Sequence, residues 1–175
     1  MTSRSGVSRR VLEEYRDDLL GIPVILRNAV IEVTDEDGEV SYEIPNSRSL
    51  TAAAAMARAL IPIRLSPVEL RFLRKAMEMT GRELAEALEV RPESVSRWEN
   101  GHEEMGGFVE KNLRLLACEQ LAALAPAIDY RPAMIAYMKV TVPPAGAMPP
   151  LAFERVVMKT RQEKFRTWDT LSLAA

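Results

Sequence analysis

Residues 70–101 read LRFLRKAMEMTGRELAEALEVRPESVSRWENG, and this stretch decides how the chain is organised. Leu70, Leu73 and Met77 recur at helical spacing and give a first helix, about 67–79, one apolar face. Ser66 followed by Pro67 starts it, a hydroxyl cap and then proline at the first helical position. Thr80 and Glu83 make a capping box that opens a second helix, about 80–88, whose buried side is Leu84, Ala85 and Leu88. Ala85 is small, as needed where two helices cross closely. Glu89-Val90-Arg91 is a three-residue turn, and Pro92 opens a third helix over 92–99 with Val95 and Trp98 facing inward. Asn100-Gly101 ends it, since both residues tolerate a left-handed conformation.

Two short helices joined by a tight turn and wedged on a longer one form a helix-turn-helix. That geometry presents the outer face of the third helix, which carries Arg91, Glu93, Ser94 and Arg97. Arginine can read guanine bidentately in the major groove, and serine can contact a phosphate or a base edge. Glu93 can accept from cytosine, but a first-turn glutamate is also favoured by the helix dipole.

The pattern Leu84-Ala85, Val90 and Val95-Ser96-Arg97-Trp98-Glu99-Asn100-Gly101 resembles the lambda-repressor/Cro-type (Xre) helix-turn-helix family. The resemblance implies an α+β chain around a five-helix, lambda-repressor-like module with one helix in the major groove of double-stranded DNA. It implies base-reading roles near Arg91, Glu93 and Arg97 and backbone contacts near Ser94 and Asn100. It also implies a structural pair, Arg74 with Glu99. Two positions depart from the family. Gly81 stands where a glutamine commonly touches phosphate and offers only its N–H. Arg91 replaces the usual hydroxyl before the third helix, losing a cap worth ~1 kcal/mol but adding a cation.

A looser resemblance extends over 15–66. Tyr15-Arg16, Gly21-Ile22-Pro23-Val24, Asn28-Ala29-Val30, Ile44-Pro45 and the alanine-rich stretch that follows are similar to the MqsA-type antitoxin family. Those proteins join a small β-rich domain to an Xre module and repress their own operon as dimers. Many hold zinc through two CxxC pairs. This chain has neither pair, so no metal or other cofactor is expected.

Composition sets the outer limits. The 175 residues are 47% hydrophobic and 27% charged, with net charge −2, which is globular and not broadly basic. From Pro67 to Gly101, six basic side chains face seven acidic ones, so a DNA-binding face depends on where Arg82, Arg91 and Arg97 sit, not on the sum. One cysteine, Cys118, excludes an intrachain disulfide, and one histidine, His102, leaves no Cys/His zinc cluster. Cys118 reads as a small buried hydrophobe and His102 as an exposed loop residue. With no nucleophile–base pair and no glycine-rich phosphate loop, an enzyme is not expected. No apolar run approaches the ~20 residues of a membrane helix, and the first residues carry no leader pattern, so a cytoplasmic location is expected.

Outward from the module, Val11, Leu12, Tyr15 and Leu19 at helical spacing predict a helix over 8–20. A hairpin follows from β-rich residues 22–33, turned at Asp35–Gly38, its second strand facing the core through Val40, Tyr42 and Ile44. The acidic turn does not match a calcium loop. Ser49 caps a helix over 49–60 whose apolar face is Leu50, Ala53, Ala54, Ala57 and Leu60. A fourth module helix spans about 109–124, and Met134–Val142 and Leu151–Lys159 read as strands. Residues 153–169 carry five cations against three acids, and we read them as a strand that packs on a partner subunit. Trp98, Phe165 and Trp168 read as packing residues.

These readings divide the chain into an N-terminal α/β segment (1–66), the helix-turn-helix domain (67–125) and a C-terminal β segment (126–175). They lead to a homodimeric, autoregulatory repressor on an inverted repeat, its recognition helices roughly 34 Å apart or a multiple of that. The rival reading is a protein-interaction module, an antitoxin or adaptor that covers a toxin and binds DNA little.

Overall fold

A computed structural model describes residues 7–18, 21–142, 149–159 and 164–171. Among these the chain is mixed α and β, with six helices and two sheets. The strands are β1 (Ser8–Val11), β2 (Glu14–Asp17), β3 (Val24–Arg27), β4 (Ile31–Thr34), β5 (Val40–Glu43), β6 (Leu151–Lys159) and β7 (Lys164–Thr170). The helices are α1 (Ser47–Leu60), α2 (Pro67–Ala76), α3 (Gly81–Ala87), α4 (Pro92–Glu99), α5 (Gly107–Leu121) and α6 (Pro132–Ala136).

Residues 8–17 are two strands and not the expected helix. β1 pairs antiparallel with β4 and β2 antiparallel with β3, so the strand residues find partners between 7 and 26 positions away. The apolar residues at helical spacing were too few to fix the backbone against that pairing. Leu19, which the expected helix included, lies outside the described residues.

The hairpin β4–β5 forms about the expected turn, but its first strand is only Ile31–Thr34, and Val24–Arg27 are β3 of the other sheet. Asp35 Oδ1 accepts the backbone N–H groups of Asp37 and Glu39, at 3.0 and 2.8 Å, and Gly38 adopts φ +84 to complete the turn. Of the three residues expected to face the core, Val40 is 52% and Tyr42 48% exposed, and only Ile44, just past the strand, packs against it. β5 is an edge of the three-stranded sheet β1-β4-β5, and Tyr42 leans on Tyr15 with ring centroids 5.1 Å apart.

The second sheet has the order β2-β3-β6-β7. β6 runs parallel to β3, Val24 opposite Leu151, and antiparallel to β7. β6 and β7 therefore complete a sheet within their own chain, with β7 at its edge. Trp168 is fully buried and its indole Nε1 donates to the Asn46 carbonyl at 3.3 Å. The side chain of Phe165 lies outside the described residues. The strand expected over Met134–Val142 is instead α6, started by Pro132 at its first position, then irregular backbone with one bridge between Ile63 and Thr141. Only Ile135 of α6 is buried.

α1 lies at the centre. Its cap is Asn46, whose side chain accepts from the Ser49 N–H, and not Ser49. Ser49 is buried in the first turn and donates to the Leu124 carbonyl at 2.7 Å. Ala52–Ala59 are buried all round, not on one stripe, because α1 packs against α2, α5 and β7 together. The alanines let those neighbours approach closely. Cys118 of α5 is fully buried, and burial pushes its thiol pKa up to about 12.

Two buried arginines tie this centre to the segment that follows. Arg58 donates to the Glu69 carboxylate and to the carbonyls of Ile63 and Arg64. Arg114, with no exposed surface, donates to the carbonyls of Ala59, Ile61 and Ile63 at 2.6–2.7 Å and to Glu110 at 2.6 Å. The two guanidiniums thus take up the carbonyls at the end of α1 and along the connector 61–64, where no helix partner remains. That fixes where α2 begins.

Candidate nucleic-acid interface

Local chemistry builds α2, α3 and α4. Ser66 and Glu69 form a capping box at the start of α2, and Thr80 and Glu83 form one at α3. The Thr80 N–H and hydroxyl hold the Glu83 carboxyl below its ordinary pKa. Leu88 ends α3, Glu89 turns the chain at φ +55, and the Val90 N–H returns to the Ala85 carbonyl at 2.9 Å. Pro92 opens α4, whose N-cap, Arg91, supplies no side-chain hydrogen bond. Leu84, Ala85, Val95 and Trp98 are buried where α3 and α4 meet α2. Gly101, at φ +70, terminates α4.

The end of α4 is clamped to α2. Glu99 accepts from Arg74 Nε at 2.6 Å and from Arg74 Nη2 at 2.9 Å. Arg74 Nη1 also donates to the Met79 carbonyl at 2.8 Å, closing the α2–α3 corner. The two-pronged bond to Glu99 raises the Arg74 pKa against the opposing effect of burial. Arg71 adds a second strap, from Nη2 to the Glu99 carbonyl at 2.9 Å and to Asn100 Oδ1 at 3.1 Å.

The outward side of α4 carries Arg91, Glu93, Ser96 and Arg97, all exposed, with Ser94 half-buried. Arg82 is exposed on α3, and Gly81 is half-buried at its first position. Arg82 and Arg91 form no ion pair among the described residues, whereas Arg97 Nη1 lies 3.7 Å from Glu103 Oε2. Asn100 is exposed but engaged: besides accepting from Arg71 it donates from Nδ2 to the Ser96 carbonyl at 2.8 Å. An exposed helix with free guanidiniums can meet base edges and phosphates, and a clamped one holds its orientation as it does so.

Sequence reasoning missed Arg58, Arg71, Arg114 and Glu110. The serine-to-glutamate spacing of Ser66 and Glu69 was a readable signal for the capping box. The four-residue spacing of Glu110 and Arg114 was a readable helix pair, but nothing local marked the other partners of Arg58, Arg71 and Arg114, which lie outside their own helices. His102 is exposed. Among the described residues no group of three or more metal-ligating side chains comes together, and no helix is long and apolar enough to cross a membrane.

Neither the curated proteins nor the solved structures give a match to the chain. Residues 70–104 match the helix-turn-helix family model, and they are the residues that carry most of α2, all of α3 and α4 and the loop beyond. By sequence, the segment 70–104 is thus similar to the helix-turn-helix modules of DNA-binding transcription regulators.

Proposed function

We propose that this protein is a sequence-specific transcriptional repressor that binds double-stranded DNA as a homodimer on an inverted repeat and represses its own operon in the manner of an antitoxin. The observation that carries the reading is α4 itself: clamped to α2 through Glu99, and exposed along Arg91, Glu93 and Arg97 within the segment similar to helix-turn-helix modules. In this reading Arg97 and Arg91 read base edges, Glu93 faces a cytosine amine, and Arg82, Ser94, Asn100 and the Gly81 N–H meet the phosphate backbone. The five-helix arrangement of a lambda-repressor-like module would take α1 together with α2–α5. Its support is that α1 packs on both α2 and α5. A regulator of this kind works in the cytoplasm and performs no catalysis.

A second reading, a module that covers a toxin or another protein, draws on two observations. The stretch 67–101 carries net charge −1, and Phe108 at the start of α5 is 78% exposed. Fluorescence anisotropy of the protein with its own upstream DNA, beside a scrambled duplex and at two salt concentrations, separates the readings. Repression requires tight binding to the upstream duplex alone, weakened by salt. Weak binding without preference rejects the repressor and favours the protein partner, which a toxin gene beside this one would identify.

A further inference from the structure

We infer that the ribbon of β6 and β7 carries a basic face that binds the phosphates of the DNA flanking the operator. The inference rests on the DNA-binding reading and extends its contacts to a second element. β6 pairs with β3 only as far as Glu154, opposite Arg27. From Arg155 to Lys159 its described partner is β7 alone. At about 3.3 Å per residue, this two-stranded stretch runs roughly 17 Å past the four-stranded sheet.

Charge is sorted across the ribbon. The register sets Arg155 opposite Trp168, Val157 opposite Arg166 and Lys159 opposite Lys164. Strand positions alternate between faces, so these six, with four cations and no acid, belong to one face. The acids of the two strands, Glu154 and Asp169, stand opposite each other at positions of the other face. Arg166 is exposed, and neither it nor Arg155 forms an ion pair among the described residues. Burial and the nearby Arg166 charge both lower the Arg155 pKa. Two guanidiniums that repel each other are relieved by an anion placed beside them.

Position selects DNA as that anion. Arg166 and Arg48 line one cleft at the start of α1. Arg48 Nη2 lies 3.1 Å from Glu78 Oε1, and Glu78 stands two residues before Thr80, the N-cap of α3. The root of the ribbon is thus beside the corner that leads into Gly81 and Arg82, the phosphate-facing residues of the proposed reading. In a helix-turn-helix the first of the two helices crosses the backbone beside the groove that the second one reads. A ribbon rooted beyond the start of that first helix meets phosphates outside the bases facing α4.

The test is fluorescence anisotropy of the full chain with two duplexes, one trimmed to the inverted repeat and one extended by about ten base pairs, a helical turn, at each end. The wild type should bind the extended duplex more tightly, whatever the sequence of the added ends. Arg166→Gln and, separately, Lys159→Gln should each cut that gain and lower the slope of log K against log salt by about 2, one phosphate contact per subunit. Arg166→Lys, which keeps the charge, should retain both. On the trimmed duplex all four proteins should bind alike. Equal wild-type binding to the two duplexes, variants that keep the gain and the slope, or an equal loss on both duplexes overturns the ribbon contact and leaves the repressor reading in place. Wild-type binding to neither duplex above a scrambled control rejects the repressor reading and the ribbon contact together.

Discussion

Glu99, the last residue of α4, receives both Arg74 Nε and Arg74 Nη2, so one carboxylate joins the end of α4 to the last turn of α2. Both side chains are largely buried, Arg74 15% and Glu99 9% exposed. Removing Glu99 strands the largely buried Arg74, and removing Arg74 leaves Glu99 only the longer pair with Arg71 Nε at 3.5 Å. Arg74→Met or Glu99→Leu should cost about 3 kcal/mol, lowering the melting temperature by about 6–12 °C. Thermal melts followed by circular dichroism check this. The double variant should lose less than the two single losses combined, since neither charge is then left alone.

Arg97 is exposed and pairs only loosely, with Glu103 at 3.7 Å. Arg97→Ala should therefore leave the melting temperature unchanged. In the repressor reading it weakens specific binding by about 1–3 kcal/mol and relaxes preference at one base pair. Anisotropy with a set of single-base operator variants tests it, and unchanged affinity with unchanged preference removes Arg97 from the base-reading set.

Glu89 holds φ +55 in the turn between α3 and α4, a conformation that strains residues with a Cβ. Glu89→Gly should relieve that strain, offset in part by the greater conformational entropy that glycine gives the unfolded chain. The net expectation is a gain of about 0.5 kcal/mol, read as a higher urea midpoint. A lower midpoint would mean that the Glu89 side chain contributes more than its backbone costs.

Arg114 satisfies three carbonyls and Glu110 with one guanidinium. Arg114→Met leaves those carbonyls and the buried Glu110 carboxylate without that donor, and should cost about 3–5 kcal/mol. Arg114→Lys should recover only part of this, because an ammonium cannot reach the same fork of acceptors. Urea unfolding of the two variants makes the comparison.

Glu69 gives stability a pH dependence. Burial alone would raise its carboxyl pKa, but the Arg58 side chain, the Ser66 N–H and hydroxyl and the Arg58 charge together hold it below the ordinary 4.5. The folded state therefore binds this proton less readily than the unfolded chain. The stabilisation is present in full above pH 4.5 and is lost as pH falls through the lowered folded value. Urea midpoints from pH about 6 to about 3 should drop, and Glu69→Gln should flatten part of the fall. An equal fall in the variant would assign the acid sensitivity to other carboxylates.

What could be read from the residues was local. Ser66-Pro67, Thr80 with Glu83, Pro92 and Asn100-Gly101 mark the ends of α2, α3 and α4 because caps and turns are settled by neighbours three or four positions away. The Asp-Gly hairpin was legible for the same reason. The outward side of α4 followed once its ends and the buried pair Val95 and Trp98 were known.

The tertiary structure decided what depends on distant partners. Whether residues 8–17 are helix or strand rests on β3 and β4, and the fate of 151–159 rests on pairing with Val24–Arg27, more than a hundred positions earlier. The same holds for Arg58 and Arg114, which in sequence are ordinary helix cations and in the fold are buried donors to the end of α1. Sequence spacing by itself determined the helix-turn-helix, because its hydrogen bonds close within a few residues. Only the fold decided the sheet and the arginine struts, because their partners are brought together by packing.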